Sequence, residues 1–238
     1  MRRVHTTAPD LASVAKLLAD GTRATVLLAL LDGRAWTATE LARHAGVAPS
    51  TATEHLHALV RGNLLTQERQ GRHRYVRLAG PHIAELVEGL AAMAPARDSA
   101  PPRSLSAAGR RSALAHARTC YDHLAGAVAV AVTDAMIERR LLDLGHGLGL
   151  TGSGVAWLSD VGVTVPQGSR RPAVRSCLDW TERRPHLAGA VGAALCRHAF
   201  DVGWITRFGT TRAVAVTALG RQALGDHLGL PRDLLTAR

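Results

Sequence analysis

Thr37-Ala-Thr-Glu40-Leu-Ala-Arg-His-Ala-Gly46-Val-Ala-Pro49-Ser-Thr-Ala-Thr53-Glu-His55-Leu-His-Ala-Leu59 is the stretch whose reading decides the fold. Thr37 with Glu40 three residues later is a capping-box pair, in which each side chain satisfies a backbone N–H that a helix's first turn leaves unbonded. Leu41, Ala42 and Ala45 give that helix an apolar stripe, and Gly46 supplies its stop. Pro49 suits the first turn of a second helix, where a missing N–H costs nothing. In that helix Ala52, Leu56, Leu59 and Val60 recur at the helical period and face inward. Asn63 stands where the chain must leave the helix, and Asn tolerates the left-handed conformation better than most residues. Gly71 then marks a hairpin turn with Arg69, Arg72, His73 and Arg74 around it. Two short helices joined by a tight turn and followed by a basic hairpin are the layout of a winged helix-turn-helix.

The inward set leaves Ser50, Thr51, Thr53, Glu54 and His57 on the outer face of the second helix. Such short polar side chains reach base edges when a helix lies in a major groove. Arg69, Arg72, His73 and Arg74 are placed for phosphate contact, which orients a protein on a duplex without reading its sequence. These nine residues are the candidate contacts to double-stranded DNA.

Over roughly residues 9 to 94 the chain resembles the ArsR/SmtB family of winged-helix repressors. The segment Leu17-Leu-Ala-Asp20-Gly-Thr-Arg23-Ala-Thr-Val-Leu27-Leu-Ala-Leu-Leu31-Asp-Gly33 is similar to the family's opening helices, and His55-Leu56 falls at its characteristic His-Leu. The chain departs from the pattern at Ala48, where a Ser usually caps the helix, at Asn63, which replaces a Gly, and at Glu54, which replaces a frequent Arg. After the wing, Pro81 opens a helix with Ile83, Leu86, Val87 and Leu90 on one stripe. The resemblance implies that this helix forms a homodimer interface, which would let two reading helices address half-sites about one DNA turn apart.

From Ala94 to Arg111 the composition turns to Pro, Ser, Gly and charge, so 95–111 reads as a linker between a 1–94 DNA-binding and dimerisation domain and a 112–238 regulatory domain. The second domain carries an internal repeat. His123-Leu-Ala-Gly126-Ala-Val128 recurs 63 residues later as His186-Leu-Ala-Gly189-Ala-Val191. A second pair, Leu150-Thr151-Gly-Ser-Gly154 and Val216-Thr217-Ala-Leu-Gly220, is offset by 66 residues. Near-equal offsets point to duplication of one unit, with repeats at about 112–165 and 172–230. Each repeat reads as helices, then a short strand or hairpin, then a helix ending near Gly162 or Gly229. In the second, Trp204 to Phe208 and Ala213 to Val216 form the hairpin. The fold class is therefore α+β, mainly helical, with a winged helix-turn-helix followed by a helix-rich domain with short hairpins.

The formal net charge of +10 and pI near 11.1 fit attraction to a polyanion. No secretory signal and no apolar run of about 20 residues occurs, so a cytoplasmic protein without a membrane span is expected. Gly147-Leu-Gly149-Leu-Thr-Gly152 matches a dinucleotide pattern but follows the charged Glu138-Arg-Arg-Leu-Leu-Asp143 rather than a buried strand. With no nucleophile elbow, zinc-protease helix or phosphate loop either, neither an enzyme nor a cofactor is expected.

The resembled family includes metal repressors, whose thiolate site is a Cys-x-Cys on the first helix of the helix-turn-helix. This chain has Glu40-Leu-Ala-Arg-His-Ala45 there, and on the helix after the wing His82, Glu85 and Glu88 lack a second His, so no metal is expected at either place. The cysteines lie instead in the C-terminal half. Cys120 with His123, Cys177 with Trp180, and Cys196 form a candidate effector or thiol site, against the alternative that free Cys packs as a small hydrophobe. Trp157, Trp180, Trp204 and Tyr121 offer a lining for a small-molecule effector, against ordinary core packing. The expected function is a sequence-specific DNA-binding regulator, a dimeric repressor modulated through its C-terminal domain. Its alternatives are a thiol- or soft-metal-responsive regulator using those cysteines and a winged-helix module that binds protein.

Overall fold

In the computed structural model residues 9–71, 73–95, 105–145, 148–166 and 172–236 are described. The chain divides into two units, residues 1–83 and 84–238.

The first unit contains α1 (Leu11–Leu18), α2 (Gly21–Leu30), β1 (Trp36–Thr37), α3 (Ala38–Ala45), α4 (Pro49–Arg61), β2 (Leu65–Gln70) and β3 (His73–Leu78). Its local signals act as expected. The Thr37 hydroxyl accepts from the Glu40 N–H while the Glu40 carboxylate accepts from the Thr37 N–H, closing the capping box. Gly46 ends α3 at φ +71°, and Asn63 (φ +57°) and Gly71 (φ +59°) take the left-handed turns after α4 and in the wing. β2 and β3 pair from Leu65↔Leu78 to Gln70↔His73, and β1 joins the free edge of β3. Val26, Leu27 and Leu30 of α2 share a core with Leu41, Ala52, Leu56 and Leu59, so both helices of the turn are held by apolar burial on one side. α1 contributes less than its periodicity suggests, with Leu11 exposed and no side chain fully buried.

The second unit begins within α5 (Pro81–Met93) and continues with α6 (Leu105–His116). Residues 105–111, expected in the linker, are therefore helical. The prolines end at Pro102, and Ala107, Ala108, Ala113 and Ala115 with Leu105 and Leu114 favour helix despite Gly109.

The rest of the unit is the same four-part pattern twice. First come the hairpin β4 (Arg118–Cys120)/β5 (His123–Ala125), α7 (Ala127–Glu138), the hairpin β6 (Leu142–Asp143)/β7 (Gly149–Leu150) and α8 (Gly152–Asp160). The second pass has the hairpin β8 (Arg175–Leu178)/β9 (Pro185–Ala188), α9 (Gly189–Asp201), the hairpin β10 (Ile205–Arg207)/β11 (Val214–Val216) and α10 (Ala218–Leu228). Each repeat opens on a hairpin rather than on helices. The strands of these hairpins are only three or four residues long, too short to leave a periodic signal. The two repeats share one core, in which Val128, Val132 and Met136 of α7 join Val191 and Ala194 of α9. The first hairpins are exchanged, since β5 packs on α9 and β9 on α7.

Candidate DNA-reading face and a buried Cys–His cluster

α4 carries the candidate reading face. Ser50, Thr53, Glu54 and His57 are exposed and Thr51 is half-buried, while Ala52, Leu56 and Leu59 are buried behind them. No side chain caps α4, because Ala48 occupies the N-cap and Pro49 begins the helix. The Thr53 hydroxyl donates to the Pro49 carbonyl at 2.8 Å, one turn back along α4. His55 is not on this face. Its Nδ1 lies 3.4 Å from the Arg23 guanidinium and 3.6 Å from Asp20, so it ties α4 to α2. Thr53 and His57 line one side of a shallow groove, with Gln67 and Arg74 of the wing on the other. Arg69 and Arg74 are exposed; Arg72 and the side chain of His73 lie outside the described residues.

The apolar stripe of α5 is split by the fold. Ile83 and Val87, expected at a dimer interface, are buried within the chain, whereas Leu86 and Leu90 are 40% and 39% exposed. The acids of α5 are also committed. Glu85 pairs with Arg175, and Glu88 is buried in an ionic network.

At the centre of that network is Arg118, a cation only 1% exposed. Its guanidinium donates to Glu88 at 3.3 Å, to Asp179 at 3.0 Å, to the Leu114 carbonyl at 3.1 Å and to the Thr181 hydroxyl at 3.2 Å. Arg212 donates to the same Glu88 oxygen at 2.8 Å, and Trp180 places its ring against Arg118 and its N–H 3.2 Å from Glu88. Asp179 also accepts from the Gly126 N–H at 2.7 Å. Burial alone would raise both carboxyl pKa values, but it is outweighed, at Glu88 by Arg212 and Arg118 and at Asp179 by Arg118 with its N–H and hydroxyl donors. Both carboxyls are thus held below the ordinary range. Their contribution to stability is full above the unfolded carboxylate pKa, near 4, and is lost as pH falls through the lower folded values. We expect the urea midpoint of the second unit, followed by tryptophan fluorescence, to hold between pH 7 and pH 5 and to drop on going to about pH 3.

Beside this network four ligand-type side chains converge. Cys120, His123, Cys177 and His186 place one donor atom each within 4.8 Å of one another. Cys120, His123 and His186 are buried, and Cys177 is half-buried. Each hairpin supplies one Cys opposite one His, with Cys120↔His123 in β4/β5 and Cys177↔His186 in β8/β9. The two Nε2 atoms are 3.1 Å apart in stacked rings. The Nδ1 atoms face carboxylates, His123 toward Asp122 at 3.4 Å and His186 toward Asp179 at 3.7 Å. The Cys120 thiol, next to Cys177 and Glu88, is pushed upward in pKa, while Cys177 is pulled down by hydrogen bonds from Cys120 and the two histidines against its burial.

Of the residues expected at a thiol site, Cys120, His123 and Cys177 are brought together. Cys196 is not one of the four; it is buried in α9, and burial pushes its thiol up to about 12. Trp180 belongs to the ionic network, and Trp204 to the core. His186 was missed as a partner, although the signal was in the sequence. Arg118-Thr-Cys120-Tyr-Asp122 recurs as Arg175-Ser-Cys177-Leu-Asp179, each run preceding its His-Leu-Ala-Gly. With a six-residue gap for the longer turn between Asp179 and His186, extending the repeat upstream through these five residues aligns Cys with Cys and Asp with Asp alongside the matched His.

A helix-turn-helix domain family matches residues 18–68. The uncharacterised HTH-type transcriptional regulator YdfF of Bacillus subtilis (strain 168) is 39% identical over 225 residues, spanning 93% of this chain and 98% of YdfF. The HTH-type transcriptional regulator CmtR of Mycobacterium tuberculosis (strain ATCC 25618 / H37Rv) is 35% identical over 92 residues, 39% of this chain and 77% of CmtR. Among solved structures, a homodimeric winged helix-turn-helix fragment of Mb0332 from Mycobacterium bovis, described as a possible ArsR-family regulator, is 36% identical. That likeness covers 32% of this chain and 69% of the fragment, with a TM-score of 0.30. Fold, reading helix and relatives together define a DNA-binding transcriptional regulator. The chain belongs to the ArsR family of winged helix-turn-helix regulators. The match to YdfF runs through the duplicated half as well.

Proposed function

We propose that this chain is a homodimeric repressor that reads an operator with α4, grips phosphates with the wing, and is modulated through its duplicated C-terminal unit. The observation that carries this is the segregation on α4, where Ala52, Leu56 and Leu59 are buried and Ser50, Thr53, Glu54 and His57 are exposed beside Arg74. Thr51, the wing's Arg69 and Arg72, and His73 complete the proposed contact set. Glu54, acidic on a DNA-facing helix, is suited to accept from a cytosine amino group and to repel phosphate elsewhere. Leu86 and Leu90 supply the exposed apolar stripe through which two copies associate, and two reading helices then face successive major grooves. An effector acts by binding one dimer geometry better than the other, which changes the half-site spacing the dimer matches.

The test is binding of the purified chain to its own upstream DNA and to a scrambled duplex across a salt series. Arg74→Ala should weaken both duplexes alike and lower the salt slope by about one. Thr53→Ala or His57→Ala should instead weaken the specific duplex by roughly 5- to 150-fold, the equivalent of about 1–3 kcal/mol, and leave the scrambled one unchanged. Equal binding to both duplexes by the unmodified chain, with no difference among the variants, would remove the sequence-reading role.

A further inference from the structure

We propose that Cys120, His123, Cys177 and His186 form a closed tetrahedral site for a Zn2+-type cation, a metal clasp that joins the two halves of the duplicated unit. The donor set is the first support. Two thiols and two imidazoles suit a borderline-soft d10 cation, whereas Mg2+ and Ca2+ need oxygen ligands. The dimensions agree as well. Bond lengths of about 2.0–2.1 Å to nitrogen and 2.3 Å to sulfur make a tetrahedron with edges of roughly 3.3 to 3.8 Å. The four donor atoms here lie within 4.8 Å of one another, with the two Nε2 atoms 3.1 Å apart.

The surroundings point the same way. Asp122 lies 3.4 Å from His123 Nδ1 and Asp179 lies 3.7 Å from His186 Nδ1, so a carboxylate stands on the far side of each ring from the paired Nε2 atoms. Carboxylate, imidazole and metal in line is the arrangement by which outer residues orient a metal-binding His. Asp122 and Asp179 supply it in both repeats, each two residues beyond its cysteine. Two thiolates would neutralise a divalent ion, so the occupied centre carries no net charge into a buried site.

Symmetry is the third support. Each hairpin gives one Cys and one His from paired strand positions, and neither hairpin alone can complete four ligands. The site exists only because β5 packs on α9 and β9 on α7. Four protein ligands leave no open position, the mark of a structural rather than a catalytic centre. The half-buried Cys177 provides the way in.

The full chain, purified under reducing conditions from zinc-supplemented cells, should contain about one Zn2+ per chain by elemental analysis. Exchanged with Co2+, it should show the intense visible bands of a tetrahedral ion together with sulfur-to-metal charge transfer. Cys120→Ser and Cys177→Ser should each abolish the charge-transfer band or halve it, with at least tenfold weaker binding. Asp122→Asn, which touches only the outer partner of His123, should weaken binding about 10- to 100-fold. His186→Cys is the safeguard against variants that fail to fold, because it keeps four ligands and should bind Co2+ with a stronger charge-transfer band. Cys196→Ser should leave stoichiometry and spectrum unchanged. A chain that takes up neither Zn2+ nor Co2+ while its thiols titrate as free would overturn the site. A Co2+ spectrum that is octahedral, or that survives loss of Cys120 and Cys177, would overturn it equally. None of these readouts involves DNA, so the clasp and the operator-reading role stand or fall separately.

Discussion

Arg118→Ala should destabilise the second unit by about 3–5 kcal/mol, a large fraction of the roughly 5–15 kcal/mol that holds a typical domain together. The reason lies in what remains behind. Removing the guanidinium leaves Asp179, fully buried, with N–H and hydroxyl donors but no counter-charge, and leaves Glu88 with Arg212 as its counter-charge beside the Trp180 N–H. A carboxylate deprived of its ion pair in a buried site keeps its desolvation penalty and loses the attraction that offset it. Asp179 also faces His186 Nδ1 and caps the start of the α7 turn through Gly126, so the loss spreads into both repeats. Urea unfolding followed by tryptophan fluorescence reads this directly, because Trp157, Trp180 and Trp204 all lie in the second unit. Arg118→Lys should fall between, since an ammonium keeps the charge but cannot span Glu88, Asp179, Leu114 and Thr181 together. A loss below about 1 kcal/mol for Arg118→Ala would mean that water reaches the network and that its burial is not what holds the unit.

The contrast between the two halves explains what the sequence discloses. In the first unit the decisive signals are local. Thr37 and Glu40 are one helical turn apart, Asn63 and Gly71 act through their own backbone angles, and the buried set on α4 follows one period. Such features are legible because cause and effect lie within a few residues. The Cys–His cluster is different. Cys120 and His123 are neighbours in the chain, but their partners are 57 and 63 residues away and arrive only through the exchange of hairpins between repeats. The duplication was visible in His-Leu-Ala-Gly-Ala-Val, yet the longer turn in the second hairpin, from Asp179 to Pro185, breaks the register and hides the matching Arg-x-Cys-x-Asp. The α5 stripe shows the opposite limit. Periodicity found Ile83, Leu86, Val87 and Leu90, but nothing in a helical period tells which apolar side is covered by the chain itself. Glu88 likewise reads as a solvated helix residue or a metal ligand until Arg118 and Arg212 are seen closing over it.

The same duplication makes a second large effect expected, at a pair of matched glycines. In each repeat a threonine caps the last helix. Thr151 accepts from the Gly154 N–H at 2.9 Å and Thr217 from the Gly220 N–H at 3.0 Å. Each threonine hydroxyl also donates back to the chain just before the second hairpin of its repeat, Thr151 to Arg140 at 2.8 Å and Thr217 to Gly203 at 2.7 Å, while the threonine N–H groups bind the Leu141 and Trp204 carbonyls, which draws the helix end onto that backbone. The approach is so close that a Cβ on Gly154 would stand 2.1 Å from the Leu141 carbonyl oxygen, and one on Gly220 would stand 2.0 Å from that of Trp204. Capping boxes favour Glu at this third helical position, and here the space for any side chain is absent. Gly154→Ala and Gly220→Ala should therefore each cost about 3 kcal/mol or more, although Ala ordinarily gains nearly 1 kcal/mol over Gly within a helix. The contacting atoms are backbone carbonyls that already bind threonine, so they cannot rotate aside as a side chain would. Gly109→Ala provides the control, since nothing lies within 4 Å of its Cβ position and it should show the helical gain alone. Thermal and urea unfolding of the three variants separate the outcomes. Matched losses at Gly154 and Gly220 would show that both repeats keep one stereochemical requirement, whereas a gain at either would mean that its helix end can draw away from the hairpin. In that case the hairpin-to-helix contact, not the ionic network, is the more yielding part of the unit.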